Sequence, residues 1–116
     1  MAACTKTYPA HTSQDVAVCL WVLTSADPVG EGVYLGNYAD RSAQLEGAFG
    51  GGTVVWEGSL NGTDFHTLTN LQGQLLSHGA SALEPVAEMT VFTRPRLVGG
   101  AGATVTATLA ALRTAR

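Results

Sequence analysis

Gly50-Gly51-Gly52-Thr53-Val54-Val55-Trp56-Glu57-Gly58-Ser59-Leu60-Asn61-Gly62-Thr63-Asp64-Phe65-His66-Thr67-Leu68 is the stretch that decides the fold. It reads as a β-hairpin. Thr53 to Ser59 forms the first strand, and Val54 and Trp56, two apart, point to one face of it. Asn61-Gly62 supplies the reversal, because both residues tolerate positive φ. Asp64 to Thr69 returns, with Phe65 and Leu68 as its apolar bulk. Such a hairpin leaves one apolar face that needs a second layer.

Working outward, Ala43 to Phe49 alternates. Ala43, Leu45, Gly47 and Phe49 face one way, and Gln44, Glu46 and Ala48 the other, as in a half-buried strand. The triple glycine then makes this strand an expected antiparallel neighbour of the hairpin. Val16 to Leu23 is apolar on both faces, the pattern of a strand covered twice. Val33 to Leu35 and Gln74 to Ser77 are short strand candidates, and Leu83 to Glu88 reads as a strand or a short helical turn, either weakened by Pro85. Val91 to Val98 is a strand interrupted by Pro95, which places it at an edge or at a bulge. Ala103 to Leu112 sets Val105, Ala107 and Leu109 against Thr104, Thr106 and Thr108. No segment makes an amphipathic helix of three turns. Seven to eight short strands with turn signals about every ten residues predict an all-β, antiparallel β-sandwich or small β-barrel. Residues 1–14, polar and containing Pro9, are expected to be an extended N-terminal arm. Residues 15–116 then form the single domain.

A chain of 116 residues buries enough surface to fold without disulfides or metal. Charged residues are 13%, about half the usual share, so much of the surface is expected to meet another protein. Lys6, Arg41, Arg94, Arg96, Arg113 and Arg116 are scattered and the formal charge is −3, which excludes the concentrated basic footprint of a nucleic-acid binder. No apolar run approaches membrane-spanning length. The start lacks a basic region followed by an apolar core, so a chain made in a reducing cytoplasm is expected. Cys4 and Cys19 are too few for a disulfide framework, although a bridge between them stays open.

Chemistry finds little support. The glycines at 47, 50, 51 and 52 precede a strand rather than the helix start that a phosphate loop needs. Ser59 in Gly58-Ser59-Leu60-Asn61-Gly62 is a turn residue, not the nucleophile of a Gly-x-Ser-x-Gly elbow. His11, His66 and His78 are far apart, and the cysteines lack Cys-x-x-Cys spacing, so no metal site is expected. Asp27, Asp40 and Asp64 form no calcium loop. Glu46 and Glu57, on strands expected to be adjacent, read as a solvated face rather than a glycosidase pair. Sugar binding would use Trp21, Trp56, Tyr8, Tyr34 or Tyr38, but Trp56 is in register with Val54 and belongs to the core. No enzyme activity and no cofactor are expected.

From about Tyr34 onward the chain resembles a group of small virion proteins of tailed bacteriophages, typically encoded beside the major capsid protein. The resemblance is carried by Tyr38-Ala39-Asp40-Arg41-Ser42, Gln44-Leu45-Glu46-Gly47, Gly52-Thr53-Val54-Val55-Trp56-Glu57-Gly58-Ser59, Asn61-Gly62-Thr63, Leu68-Thr69, Gln72-Gly73, Glu88 and Phe92-Thr93-Arg94-Pro95. The group's turn is commonly Gly-Ser-Asn-Asp-Gly, and here Gly-Ser-Leu-Asn-Gly keeps the geometry but loses an acid. Residues 1 to 33 match poorly. The resemblance implies a non-enzymatic capsid decoration, or cement, protein on the virion surface. Its partner would be the major capsid protein, with self-association as a dimer or trimer. The rivals are a head-tail connector or tail component, and a glycan-binding sandwich module. Tyr8, His11, Tyr34, Tyr38, Arg94 and Arg96 are the candidate partner-binding residues, with the two arginines on one strand face, placed to meet carboxylates.

Overall fold

The computed structural model describes residues 1–9 and 15–113. Ten strands run in chain order: β1 (Thr5–Thr7), β2 (Val16–Thr24), β3 (Val33–Tyr34), β4 (Asp40–Ala48), β5 (Thr53–Ser59), β6 (His66–Thr67), β7 (Ser77–His78), β8 (Ala82–Val86), β9 (Phe92–Val98) and β10 (Thr104–Leu112). No helix occurs among the described residues. The strands form two antiparallel sheets packed as a β-sandwich. The first has the order β1-β2-β10-β4-β8, and the second β3-β9-β5-β6 with β7 also on β5.

β2, β9 and β10 bury every second residue. In β10, Val105, Ala107, Leu109 and Ala111 face inward, and in β9 Thr93, Pro95 and Leu97 do. Trp21 of β2 and Trp56 of β5 are both fully buried and meet across the sandwich, edge to face, with ring centroids 5.8 Å apart. That geometry contributes roughly 0.5–1.5 kcal/mol beyond the area buried. The Trp21 indole N–H donates to Glu31 O at 2.8 Å, so its polar atom is not stranded in the core.

The hairpin exists, but its turn is longer than a two-residue reversal. Gly62 takes φ +79°, whereas among the described residues no non-glycine has positive φ. Asn61 acts through its side chain instead, its Oδ1 accepting from the N–H groups of Thr63 and Asp64 at 2.9 Å. Ser59 Oγ accepts from the N–H groups of Asn61 and Gly62. The return strand therefore begins at His66, opposite Gly58.

Three expectations are corrected by the pairing. β4 and β5 are not neighbours, because Phe49 to Gly52 crosses between the sheets. This corner nests against a second crossing, Gly99 to Gly102. A Cβ on Gly50 would lie 2.4 Å from Ala101 O, and one on Gly52 3.0 Å from Gly100 Cα, so glycine allows the two backbones to touch. Glu46 and Glu57 consequently lie in different sheets. β9 is an interior strand, not an edge, between β5 and β3. Pro95 is tolerated because its backbone faces away from β5, toward the irregular segment 28–30. Gly30 N–H donates to Pro95 O and Leu97 N–H to Pro28 O. Finally, β2 is covered on one face only: Leu20 and Val22 are exposed.

The first half of the expected arm lies against the sandwich. β1 pairs with β2, with Lys6 opposite Cys19. Ala2 is buried, donating its N–H to Val29 O and accepting at its O from Glu31 N–H. Residues 10–14, which include His11, are outside the described residues.

Candidate partner-binding surface

Tyr8, Tyr34 and Tyr38 come together at one end of the sandwich. With Lys6, Gly36, Asn37 and Arg113 they line a cleft of about 240 Å³. β1 carries Lys6, and Tyr8 follows it on the same side of the chain. Tyr34 ends β3, and Tyr38 lies in the β3–β4 loop. The Lys6 ammonium sits between two rings, 5.6 Å from the Tyr38 centroid and 5.9 Å from that of Tyr8. It also donates to Tyr34 O at 3.3 Å. The Arg113 guanidinium also lies 5.6 Å from the Tyr38 centroid. Cations over aromatic faces at these distances each contribute about 0.5–1 kcal/mol at exposed sites. The Tyr34 ring folds over Gly36, where a Cβ would meet its hydroxyl at 2.6 Å.

Arg41 holds this loop in place. Its side chain points inward from β4 and is buried, and among the described residues no carboxylate forms an ion pair with it. Nη2 donates to Leu35 O (2.9 Å) and Tyr38 O (3.1 Å), and Nη1 to Thr93 Oγ1 (3.3 Å). Burial lowers the Arg41 pKa from its ordinary value. The guanidinium nonetheless stays charged, because its unperturbed value is so high. A buried cation is thus held by two carbonyls and a hydroxyl, with its Nε left without a partner, and the carbonyl bonds fix the backbone that presents Tyr38.

Arg94 and Arg96 do share one face of β9, where both are partly exposed, and the carboxylate they meet is one of the chain's own. Both grip Glu57 of β5, Arg94 Nε donating to Oε1 and Arg96 Nε to Oε2, each at 3.0 Å. Phe65, on the turn, covers the Arg94 guanidinium at 3.9 Å from its centroid. Phe92 lies on the same face of β9, opposite Tyr34 in the register, and the two rings are 5.7 Å apart. One stripe therefore runs along the outside of the second sheet: Tyr34, Phe92, Arg94, Arg96. It joins the tyrosine cleft to the arginine pair.

The outside of the first sheet is a separate surface of different chemistry. Strand alternation puts Val16, Val18, Leu20 and Val22 outward on β2, and Thr104, Thr106, Thr108 and Ala110 beside them on β10. Leu83 of β8 stands opposite Gln44 and is 70% exposed; Val22 is 47% exposed. The charged outward residues of its strands are Asp40 and Glu46 of β4. Aliphatic and threonine side chains make up most of this face, and charges are few.

Sequence reasoning missed Lys6, Arg113, Phe65, Phe92 and this face. The signal for the face was present in the two-sided apolar run of β2, which reads equally as a strand buried twice. Lys6 and Tyr8 were legible as an alternating pair only if the chain start was taken as a strand. Among the described residues no three His, Cys, Asp or Glu side chains converge to hold a metal ion. No protein-family model matches the chain, and no curated protein matches its sequence.

Proposed function

We propose that the chain is a structural virion protein that decorates the head of a tailed bacteriophage, binding the major capsid protein and stabilising the shell. The observation that carries the reading is the outer face of the first sheet, five strands wide, with exposed aliphatic side chains at Leu20, Val22 and Leu83 and few charges. A surface of this kind loses free energy by being left in water and gains it on docking against a matching subunit. The resemblance to small phage head proteins over Tyr34 to Pro95 supports the same reading. So does the presence of two adherent surfaces on opposite outer faces. The apolar face seats on the shell, while the Tyr34–Arg96 stripe meets a second copy. Burial of both tryptophans counts against a glycan-binding module, which presents such rings to solvent.

The deciding experiment is the copy number in purified particles, by quantitative mass spectrometry against the major capsid protein. Copies comparable in number to the capsid subunits are expected. A small ring of copies would assign the chain to the neck or tail, and absence from particles would overturn the virion reading. Val22→Lys and Leu83→Lys, both outward-facing, are expected to abolish binding to bare shells without changing the fold.

A further inference from the structure

The two cysteines meet in the folded chain although fourteen residues separate them. The β1–β2 register sets Lys6 opposite Cys19, so Cys4, two residues before Lys6, lies diagonally across from Cys19 on the inward face. Cys4 packs against the core cluster that contains Cys19, and the two thiols act on each other. Cys4 is partly exposed, whereas Cys19 is fully buried beneath it, and neither is in a disulfide. The surroundings treat the two sulfurs differently. The Cys19 thiol holds the Cys4 thiol below its ordinary value, against burial and the Glu31 carboxylate, and Lys6 adds to the lowering. Cys4, with burial, pushes Cys19 up. An accessible thiol favouring the thiolate, above a buried partner thiol, is the arrangement of an attacking and a resolving cysteine.

We propose that Cys4 and Cys19 are an oxidant-responsive dithiol whose bridge ties the start of the chain to β2. The co-reactant is a small-molecule disulfide. The Cys4 thiolate attacks one of its sulfurs, forming a mixed disulfide and releasing one thiolate. Cys19 then attacks the Cys4 sulfur, forms the internal bridge and releases the second thiolate, which takes up the Cys19 proton. Two protein thiols are oxidised and one disulfide is reduced to two thiols. Closing the bond needs the sulfurs to approach to about 2.05 Å. The three-residue edge strand β1 supplies that movement more readily than β2, which is held by β10 over its whole length. In a reducing compartment the pair stays open, and it closes on exposure to an oxidising one.

The test treats the folded protein with oxidised glutathione, alkylates it under denaturing conditions and measures its intact mass. The expected product has lost two hydrogens and carries neither glutathione nor alkyl groups. Its unfolding midpoint should rise by about 5–10 °C, because a short loop of the unfolded chain is closed. Cys19→Ala, which keeps the core apolar, should stop at a stable glutathione adduct on Cys4, and Cys4→Ser should not react. In the unmodified protein, alkylation of Cys4 should titrate below the ordinary thiol range, a readout that needs no variant to fold. Accumulation of the mixed adduct in the unmodified protein, two free thiols after treatment, or equal reaction of both single variants would each overturn the proposal.

Discussion

Replacing Glu57 by Gln tests whether the outside of the second sheet is organised by one buried carboxylate. The Glu57 side chain is 7% exposed and serves two guanidinium groups at 3.0 Å, while those of Arg94 and Arg96 are 22% and 38% exposed. Gln keeps one acceptor, presents an NH2 group to the other arginine and leaves two cations side by side on β9. Hydrogen bonds to charged groups contribute about 1.5–3 kcal/mol each. Water reaches both arginines, so the gross loss is discounted, leaving about 2 kcal/mol. For 116 residues the unfolding entropy near the midpoint is about 0.24 kcal/mol per kelvin. The midpoint should therefore fall by about 8 °C in a calorimetric scan. A double-mutant cycle with Arg94→Gln should show coupling of about 1 kcal/mol or more, since the two side chains share a hydrogen bond. A fall below about 2 °C, or strict additivity in the cycle, would refute the claim that this carboxylate organises the face.

Three further perturbations follow from particular contacts. Gly47→Ala places a Cβ 2.4 Å from Thr104 O at φ +132°, and should cost about 2–3 kcal/mol in a urea titration. Arg41→Met leaves Leu35 O and Tyr38 O without their shared donor. It should destabilise the protein by about 2–4 kcal/mol and speed amide exchange in the β3–β4 loop more than in β5. Burial acts to raise the Glu88 pKa, but bonds from the Thr69 hydroxyl and N–H and from its own N–H outweigh it, so the folded value is lowered. Its stabilisation is then complete above the unfolded value and is lost as pH falls through the folded one. The stability gap between the unmodified protein and Glu88→Gln should be widest at neutral pH and close as pH drops below 4.5, measured by urea titration across pH.

The residues of the candidate surface were visible singly but not as a group. Tyr8, Tyr34 and Tyr38 stand out as aromatics in polar surroundings, yet nothing in their spacing says that they share a cleft. They converge because β1 and β3, which belong to different sheets, end at the same side of the sandwich. Arg94 and Arg96 were assigned to one face correctly, since strand alternation is a local property. Their internal carboxylate was not legible, because Glu57 reaches them only through the β5–β9 pairing. Lys6 was hidden by a chain start too polar to read as a strand. Its place comes from hydrogen bonding to β2 and from Ala2 reaching the 28–31 segment.

By itself the sequence determined where strands form and which side of most of them is buried. Those properties follow from side-chain alternation over a few residues, as in Thr53 to Ser59 and Thr104 to Leu112. Only the tertiary structure decided which strands are neighbours. A glycine corner such as Phe49 to Gly52 serves a hairpin and a crossing equally well, and the choice is made by what packs against it. It likewise decided whether a two-sided apolar strand is covered once or twice: β2 has the same residues either way, and its outer face is open because none of the described residues forms a third layer over the first sheet. Strand formation is a short-range competition that local chemistry wins, whereas pairing and coverage depend on contacts between residues far apart in the chain.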